Sequence, residues 1–462
     1  MSTAKAVEGY LTLTATGEPH EIAVVLLTGG GDRPYVYGLA TALMSKGIAL
    51  DLIGSDELDF PEFHNKTGVN FLNLRGDQRP EASFLNKVSR VSMYYAKLIH
   101  YAATSKPRIF HILWNNKFES FDRTLLMFYY KLLRKQVVLT AHNVNKAKRD
   151  RNDNAFNRLT LQIQYRLADH IFVHTNKMKC ELIEGFGVRS PQVSIIPFGI
   201  NNSVPNTPLT PEEARLRVGI REGDRVILFF GRIKPYKGLE YLTAAFRQIL
   251  ARCGDYRLII VGRPYDCEQY WRAVQEDIHE EVEKGRIVLR ADFVPDEETE
   301  VYFKAADVVV LPYRHVYQSG VLFLGHSFGL PALGADVGSL KDEIVEGKTG
   351  FLFRPEDPVD LAKAIERYFA SDLYRDLNRR RQEIIDFSTK RHSWDVVSQV
   401  TMNVYAGLRK GRLGRDWESE TGNLKVETCH PEQADTTTSA LEVRGASLTG
   451  DEASPRSTVT GR

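Results

Sequence analysis

The chain has 462 residues, too many for one ordinary hydrophobic core, since single cores stop growing at about 250 to 300 residues. Its 61 basic residues nearly balance its 59 acidic ones, and the net charge of +2 excludes a general attraction to nucleic acid. We find neither a signal-peptide pattern nor about 20 uninterrupted apolar residues, so we expect a cytoplasmic protein, with any membrane contact peripheral, at the inner face of the plasma membrane.

Short apolar runs alternate with segments of helical periodicity along the first half of the chain. The runs that we predict as strands are Ile22 to Leu27, Leu50 to Ile53, Ile109 to Trp114, Gln136 to Ala141 and His170 to His174. Such alternation predicts a parallel sheet with helices on both faces. The pattern lapses at Ile195 to Gly199, where proline and glycine occur, so we place a linker there.

The second half of the chain repeats this alternation. Its predicted strands are Val226 to Phe230, Leu258 to Gly262, Ile287 to Leu289, Val308 to Leu311 and Pro331 to Ala335. We therefore predict an α/β protein with two doubly wound, Rossmann-like domains that face each other across a cleft. The predicted parts are a polar segment 1–20, domains 21–198 and 199–390, a helix 391–410 that returns to the first domain, and a disordered tail 411–462.

The stretch FFGRIKPYKGLE, residues 229–240, follows the first strand of the second series. Gly231 would let the chain turn, and Arg232 and Lys237 would then point into one cleft. Cations near a helix N-terminus oppose the helix dipole unless an anion lies between them. The stretch therefore indicates an anion site, and a solvated basic turn is the alternative interpretation.

A second loop, after Val308 to Leu311, leads to a predicted helix that begins at Ser319-Gly320 and runs to about His326. Ser319 is a typical N-cap residue, and Gly320 leaves room for an oxyanion near the free backbone N–H groups. An ordinary buried helix start would show the same pattern. Together with the two cations, however, these N–H groups could hold one diphosphate.

Both stretches resemble the donor half of glycosyltransferase family 4, whose members have the two-domain GT-B fold. The resemblance runs from about Ile22 to Leu408. Further landmarks in the same order are Ile195 to Asn201, Leu258 to Gly262, Ala305 to Val308 and Gly347 to Leu352. The resemblance implies metal-independent, retaining transfer of a hexosyl group from a nucleotide sugar, UDP- or GDP-linked, to a glycan or lipid-linked acceptor in polysaccharide or glycolipid synthesis. It implies no other cofactor.

The resemblance also suggests roles for individual residues. As catalytic residues it implies Arg232 and Lys237 on the diphosphate and His142, at a predicted strand end, on the transferred sugar. As donor-binding residues it implies Gly30, Gly31, Phe293, Val294, Gln318, Ser319, Gly320 and Val321. A purely structural histidine at position 142, and ordinary packing of Phe293 and Val294, are the alternatives.

One departure from the family concerns its two glutamates, eight positions apart, on the sugar and the ribose. This chain has no acidic residue between Asp307 and Asp336, and it resembles a subset with Gln-Ser-Gly-Val-Leu in that place. Backbone groups near Gln318, or its side chain, could substitute. The departure leaves open a non-catalytic protein that binds a nucleotide or a partner; an epimerase or phosphorylase of this fold is another alternative.

The segment from Phe84 to Tyr101 has helical periodicity with two stripes. The apolar stripe is Phe84, Val88, Val91, Tyr95 and Leu98, and the basic and aromatic stripe is Lys87, Arg90, Tyr94, Lys97 and Tyr101. Such a helix could rest on anionic lipid near Lys87 to Lys97, or contact a lipid-linked acceptor. A solvated helix face is the alternative interpretation.

Overall fold

The computed structural model describes residues 22–30, 32–64, 66–77, 84–149, 152–200 and 204–411. The predicted polar segment 1–20 lies outside these ranges, as does Gly31. Of the predicted tail 411–462, only Gly411 is described. The domain limits given above stay a prediction.

The first sheet has seven parallel strands in the order β3-β2-β1-β4-β5-β6-β7. These strands are β1 (Ala23–Leu27), β2 (Ala49–Gly54), β3 (Val69–Asn73), β4 (Ile109–Ile112), β5 (Gln136–Thr140), β6 (His170–Val173) and β7 (Val193–Ile195). All residues of β4 are buried, because apolar clusters cover both faces of this sheet.

The second sheet has six parallel strands in the order β10-β9-β8-β11-β12-β13. These strands are β8 (Arg225–Phe230), β9 (Tyr256–Val261), β10 (Ile287–Arg290), β11 (Val308–Leu311), β12 (Ala332–Ala335) and β13 (Gly350–Phe353). Two apolar clusters again cover its faces. The predicted fold class, two doubly wound α/β domains, is therefore confirmed.

The helices connect successive parallel strands. Those of the first part are α1 (Arg33–Ser45), α2 (Phe84–Thr104), α3 (Glu119–Phe121), α4 (Met127–Leu132), α5 (Lys146–Arg149), α6 (Ala155–Leu167) and α7 (Asn176–Phe186), with a π-helical turn, Asp122–Leu126, between α3 and α4. Those that follow are α8 (Pro211–Arg217), α9 (Leu239–Leu250), α10 (Glu268–Glu283), α11 (Asp296–Ala305), α12 (Gly320–Ser327), α13 (Leu340–Glu343), α14 (Pro358–Phe369), α15 (Asp372–Arg375), α16 (Leu377–His392) and α17 (Trp394–Arg409). Short 3₁₀ turns lie at Asp56–Leu58, Pro61–Phe63, Ser190–Gln192 and Pro235–Lys237.

The strand order of both sheets reverses at one point, between β1 and β4 in the first and between β8 and β11 in the second. In open sheets of this kind, ligands bind beyond the carboxyl ends of the strands at such switch points. The predicted residues Gly30, Arg232 and Gln318 follow three of these four strands. The topology therefore places the predicted loops at the expected binding edges.

The last helix, α17, packs on the first sheet although it follows the second one in sequence. Trp394 and Val397 belong to the apolar cluster that includes Leu26 of β1. The Tyr405 hydroxyl lies 2.6 Å from Nδ1 of His111, a buried residue of β4. Apolar packing and this polar contact hold the helix against the first sheet.

Helix α2 differs from its predicted pattern of stripes. Tyr94, predicted in the basic and aromatic stripe, is buried beside Tyr95 and Leu98, whereas Val88, predicted in the apolar stripe, is 47% exposed. Tyr94 packs in an apolar cluster of the first sheet, and its hydroxyl donates a hydrogen bond to Asn116 Oδ1 at 2.8 Å. A tyrosine with such a partner can face the core, so the buried face of α2 is rotated from the prediction.

Candidate active site

The turn after β8 has a backbone that only glycine adopts easily. Gly231 has a φ of +95°, and a Cβ there would lie 3.0 Å from Lys237 Nζ and 3.3 Å from Val321 Cγ2. Gly262, after β9, is equally constrained, because a Cβ would lie 2.0 Å from the Gly231 carbonyl oxygen. The turn, the lysine and the first turn of α12 therefore meet at one place.

Lys237 is the most unusual group at this place. Its side chain is only 7% exposed, and its ammonium has no hydrogen bond or ion pair within the described ranges. Burial, with a smaller contribution from the positive charge of Arg232, lowers the pKa of Lys237 from 10.5 to about 8. The lysine is thus a buried cation with an open position for an anion.

Arg232 and Lys237, both expected to point into one cleft, differ in exposure. Arg232 is exposed and its guanidinium lies 5.5 Å from the Tyr265 ring centroid, whereas Lys237 is buried. The difference arises because Lys237 ends a 3₁₀ turn that folds back against Gly231. Arg232 nevertheless interacts electrostatically with Lys237 and with Asp32, which follows β1.

The N-terminus of α12 has the predicted cap. Ser319 is the N-cap residue, and its Oγ accepts a hydrogen bond of 3.4 Å from the Leu322 backbone N–H. Gly320 is exposed, and the nearest atom to a Cβ there would be a Phe198 ring carbon at 3.8 Å. Gln318 Oε1 is buried without a hydrogen-bond partner in the described part of the chain. Space, N–H groups and an acceptor therefore converge here.

The glycine loop after β1 is constrained by its own domain. Gly29 and Gly30 have φ values of +56° and +72°. A Cβ at Gly29 would lie 2.1 Å from the Trp114 carbonyl oxygen, and one at Gly30 would lie 2.2 Å from Arg75 Nη1. These contacts within the first domain are enough to explain why both positions need glycine, without a bound ligand. Gly31, predicted beside them, lies outside the described residues.

His142 lies in an aromatic environment beyond β5. Its ring stacks on Trp114 with centroids 4.1 Å apart and meets the edge of Tyr35 at 4.7 Å. Its Nδ1 is 2.9 Å from Nε2 of His174, whose own Nδ1 is 3.1 Å from the Ile196 carbonyl oxygen. Burial, with the nearby His174, lowers the pKa of His142 well below its ordinary value.

These contacts fix the tautomer of His142. The Ile196 carbonyl can only accept, so His174 Nδ1 donates to it and the neutral His174 accepts at Nε2. His142 therefore donates from Nδ1, and its Nε2 carries a lone pair. That Nε2 is buried and has no hydrogen-bond partner among the described residues. The ring thus offers one unused acceptor.

The sequence missed several neighbours of these residues. His174, Trp114 and Tyr35 all contact the His142 ring, and Asp32 interacts with Arg232. Their position could have indicated two of them, since Trp114 and His174 both stand just after a strand, where ligands of such sheets bind. His170, at the start of the same predicted strand as His174, is buried in β6.

Phe293 and Val294 behave differently from each other. Phe293 is 71% exposed, whereas Val294 belongs to the apolar cluster on one face of the second sheet. Only Phe293 is therefore free to stack on a planar ligand. Within the described ranges, no three His, Cys, Asp or Glu side chains are arranged to hold a metal ion.

Two family models match the chain in succession. Residues 29–204 match the model described as Glycosyltransferase Family 4, and residues 224–371 match the one described as Glycosyl transferases group 1. With two parallel sheets of this topology, these matches define a glycosyltransferase of the GT-B class. The chain belongs to the group 1 glycosyltransferases, with a family 4 domain at its N-terminal side. The more specific subset with Gln-Ser-Gly-Val-Leu stays a prediction.

The chain is similar to several known proteins. An uncharacterised glycosyltransferase of Methanocaldococcus jannaschii is 26% identical over 388 residues, which cover 81% of this chain and 94% of that protein. A D-inositol 3-phosphate glycosyltransferase of Corynebacterium urealyticum is 27% identical over 245 residues, but the match covers only 52% of this chain and 57% of that protein. The chain thus spans little more than half of that second relative.

Two solved structures share the fold. Sucrose-phosphate synthase from Thermosynechococcus elongatus has a TM-score of 0.67 at 19% identity, covering 84% of this chain and 100% of that one. HepE from Anabaena, solved in complex with UDP-glucose, has a TM-score of 0.64 at 15% identity, covering 83% and 99%. At such identities the likeness establishes the architecture alone.

Proposed function

We propose that this glycosyltransferase moves a hexosyl group from a nucleotide-diphosphate sugar to an acceptor hydroxyl, with retention of configuration and without a metal ion. The observation that carries the proposal is Lys237, a buried cation beside Gly231 whose ammonium lies 5.5 Å from the Tyr313 ring centroid but makes no hydrogen bond or ion pair in the described part of the chain. An unpaired buried charge costs free energy in the unliganded protein. A bound diphosphate would remove that cost.

The chemical role of these groups is electrostatic. As the glycosidic bond breaks, negative charge builds on the leaving diphosphate. Arg232 and Lys237 supply fixed positive charge, and the backbone N–H groups of Ser319, Gly320 and Val321 stand at the start of α12. Each charge-assisted hydrogen bond contributes about 1.5 to 3 kcal/mol. Two fixed cations replace the neutralisation that a divalent metal provides at other sites.

In this proposal, two uncharged side chains that accept hydrogen bonds bind the transferred sugar. His142 Nε2 accepts a hydrogen bond from a sugar hydroxyl, which gives its unused lone pair a partner. Gln318 Oε1, also buried without a partner in the described ranges, does the same for a second hydroxyl. These two groups take the place of the family's glutamate contacts.

The donor in this proposal is a UDP- or GDP-linked sugar. Phe293 is exposed beyond β10 and supplies the face on which the base stacks. HepE, which shares the fold, was solved with UDP-glucose, so a UDP-sugar is the first donor to test. In this proposal Gly30 approaches the donor from the first domain.

The acceptor in this proposal is a glycan or a lipid-linked sugar of polysaccharide or glycolipid synthesis, and the protein works in the cytoplasm at the inner membrane surface. Helix α2 exposes Val88, Met93 and Ile99, and the neighbouring segment exposes Leu125 and further apolar side chains. Apolar side chains beside exposed lysines are typical of peripheral lipid contact. No helix in the described part of the chain is long and apolar enough to cross a bilayer.

A second candidate function is a GT-B protein that binds a nucleotide or a partner without turnover. The observation that favours it is the absence of any acidic residue between Asp307 and Asp336. A binding protein would retain affinity for nucleoside diphosphates but would release none from a nucleotide sugar.

The deciding experiment incubates the protein with UDP-, GDP- and ADP-sugars, with and without pooled glycan and lipid acceptors, and measures released nucleoside diphosphate. The matched control is the Arg232→Ala, Lys237→Ala double variant. We expect release from one class of donor by the wild type and loss of release in the double variant. Nuclear magnetic resonance of the product's anomeric proton then tests retention.

Nucleotide binding without release under every acceptor condition would instead support the non-catalytic candidate. Release that the double variant retains would contradict the role of the two cations. An inverted anomeric configuration would leave the donor site in place but reject the retaining mechanism.

A further inference from the structure

A second positively charged region lies in the first domain, apart from Lys237. It is a surface pocket between the segment after β3, the start of α2 and the segment after β4. The polar residues lining it that matter here are Arg75, Lys87, Arg90, Tyr94, Asn116 and Lys117. Four of these six carry a positive charge, and no carboxylate lines the pocket among the described residues.

The floor of the pocket is rigid and polar. The Tyr94 hydroxyl donates to Asn116 Oδ1 at 2.8 Å, and the Arg75 guanidinium lies 5.6 Å from the Tyr94 ring centroid. Arg90 Nη1 donates to the Asp77 carbonyl oxygen at 2.6 Å. Hydrogen bonds and ring packing therefore fix part of the lining before any ligand binds, which limits the ordering entropy that binding costs.

The two lysines of the pocket have no polar partner among the described residues. Within the described ranges, neither the Lys87 nor the Lys117 ammonium makes a hydrogen bond or ion pair. Asp122, the acidic group behind the pocket, accepts hydrogen bonds from the Tyr95 hydroxyl and the Asn116 backbone N–H. Two ammonium groups that line one concave site repel each other, and an anion bound between them would remove that repulsion.

The pocket adjoins the proposed reaction site. Arg75 lies directly against Gly30, where a Cβ would come within 2.2 Å of its Nη1. Asn116 is two residues from Trp114, whose ring stacks on His142. Arg75 and Asn116 thus connect the pocket to the glycine loop and to the segment that holds the His142 ring.

We propose that this pocket binds a phosphate group of the acceptor, which positions the acceptor hydroxyl toward the donor sugar. This inference rests on the proposed transferase function and names the class of its acceptor. A phosphate carries about −1.5 to −2 charges and several acceptor oxygens, which suits two guanidinium groups and two ammonium groups better than a single carboxylate does. The phosphate can belong to a soluble ester or to a lipid headgroup.

The first test is calorimetric binding of glycerol 3-phosphate with saturating UDP present, so that the donor diphosphate site is already filled. Glycerol, without the charge, is the ligand control. We expect binding of the phosphate ester but not of glycerol, and a loss of at least about tenfold in affinity for Lys87→Gln, Lys117→Gln. The matched protein control is Lys106→Gln, an exposed lysine just after α2 and outside the pocket.

A second arm identifies the source of the phosphate. Vesicles of phosphatidylcholine with phosphatidylglycerol are compared with vesicles of phosphatidylcholine alone, and free glycerol 3-phosphate is added as a competitor. Competition that releases the wild type, together with weaker vesicle binding by the double lysine variant, identifies a lipid headgroup. Binding of free glycerol 3-phosphate without such competition identifies a soluble phosphate ester.

Two results would overturn the inference: no binding of glycerol 3-phosphate or anionic vesicles by the wild type, or equal binding by the pocket variant and Lys106→Gln. Unchanged UDP affinity in each variant shows that it is folded. These assays read binding and not turnover. An active enzyme that binds no phosphate therefore rejects only the pocket, and an inactive protein that binds it rejects only the transferase.

Discussion

Lys237 and His142 both lie beyond the carboxyl end of a strand, Lys237 after β8 and His142 after β5, yet their electrostatic states are opposite. Lys237 keeps a pKa of about 8 and stays protonated at neutral pH, whereas the pKa of His142 is so low that the ring is neutral. The Lys237 ammonium is charged and can only donate hydrogen bonds, whereas the neutral His142 ring offers a lone pair that can accept one. Two sheets of the same topology thus present different chemistry, one suited to a diphosphate and the other to a hydroxyl.

The largest expected effect comes from removing the charge at Lys237. Lys237→Met should lower kcat/KM for the donor about 10- to 150-fold, since a charge-assisted hydrogen bond of about 1.5 to 3 kcal/mol is lost. The same change should raise the stability of the unliganded protein by up to about 3 kcal/mol at neutral pH, because a buried charge with a lowered pKa is removed. Steady-state kinetics and thermal unfolding measure both.

The matched control is Lys234→Met, in the same turn. The Lys234 ammonium lies 4.9 Å from the Tyr265 ring centroid, and its partial exposure predicts a change of less than about twofold in kcat/KM. An equal loss of kcat/KM in the two variants would mean that catalysis depends on the total positive charge of the turn and not on Lys237 in particular. A Lys237→Met protein with lower stability than the wild type would contradict the unpaired state of this lysine.

The next effect is a pH dependence that belongs to Lys237 and not to His142. The pKa of Lys237 is lowered in the free protein to about 8, and a bound diphosphate raises it again, so binding takes up a proton. At about pH 9 only about a tenth of the free protein carries that proton, and UDP affinity should fall up to about tenfold from its value near pH 7.

Calorimetry in buffers of different ionisation enthalpy measures this proton uptake. Lys237→Met should show neither the uptake nor the decline. The sign for stability follows from the same shift: the cost of the lowered pKa is fully present below about pH 8 and is relieved as the pH rises toward the ordinary lysine value. Constant UDP affinity across this range in the wild type would remove Lys237 from the diphosphate site.

The smallest expected effect concerns His142. His142→Phe keeps an aromatic ring on Trp114 but removes the acceptor, so kcat/KM should fall about twofold to tenfold, as for a neutral hydrogen bond of about 0.5 to 1.5 kcal/mol. Because burial keeps the ring neutral, the wild-type rate should not decline through the ordinary histidine pKa as the pH is lowered to about 5. A decline there that disappears in His142→Phe would show that the histidine titrates in the reaction.

The sequence predicted the interior strands better than the edge strands. Five strands are buried on both faces, so their sequences are continuous apolar runs that can be recognised directly: β1, β4, β5, β8 and β11. The edge strand β3 has only partly exposed and exposed residues, β7 has only three residues, and β13 was not predicted as a strand, since Gly347 to Leu352 entered only as a landmark of the resemblance. Short or half-exposed strands carry too little apolar pattern to be distinguished from loops.

The candidate site was predicted in its residue types but not in its partners. The contact between His142 and His174 follows from the register of β5 and β6, in which Thr140 pairs with Phe172 and the same offset continues beyond the strands. No local pattern specifies such a register, because it depends on which strands are neighbours. Lys87, Arg90 and Tyr94 of the basic pocket were predicted as part of one helix stripe. The pocket itself was not predicted, since its residues come from three separate segments.

By itself, the sequence determined the fold class and the order of strands and loops, because apolar runs, glycines and caps act over a few residues. It also placed Arg232, Lys237 and Ser319 after strands, where ligands of such sheets bind. Only the tertiary structure decided that Lys237 is buried while Arg232 is exposed, and that His142 is held neutral between Trp114 and His174. Burial and charge state depend on groups distant in sequence, since desolvation is produced by whatever packs around a side chain.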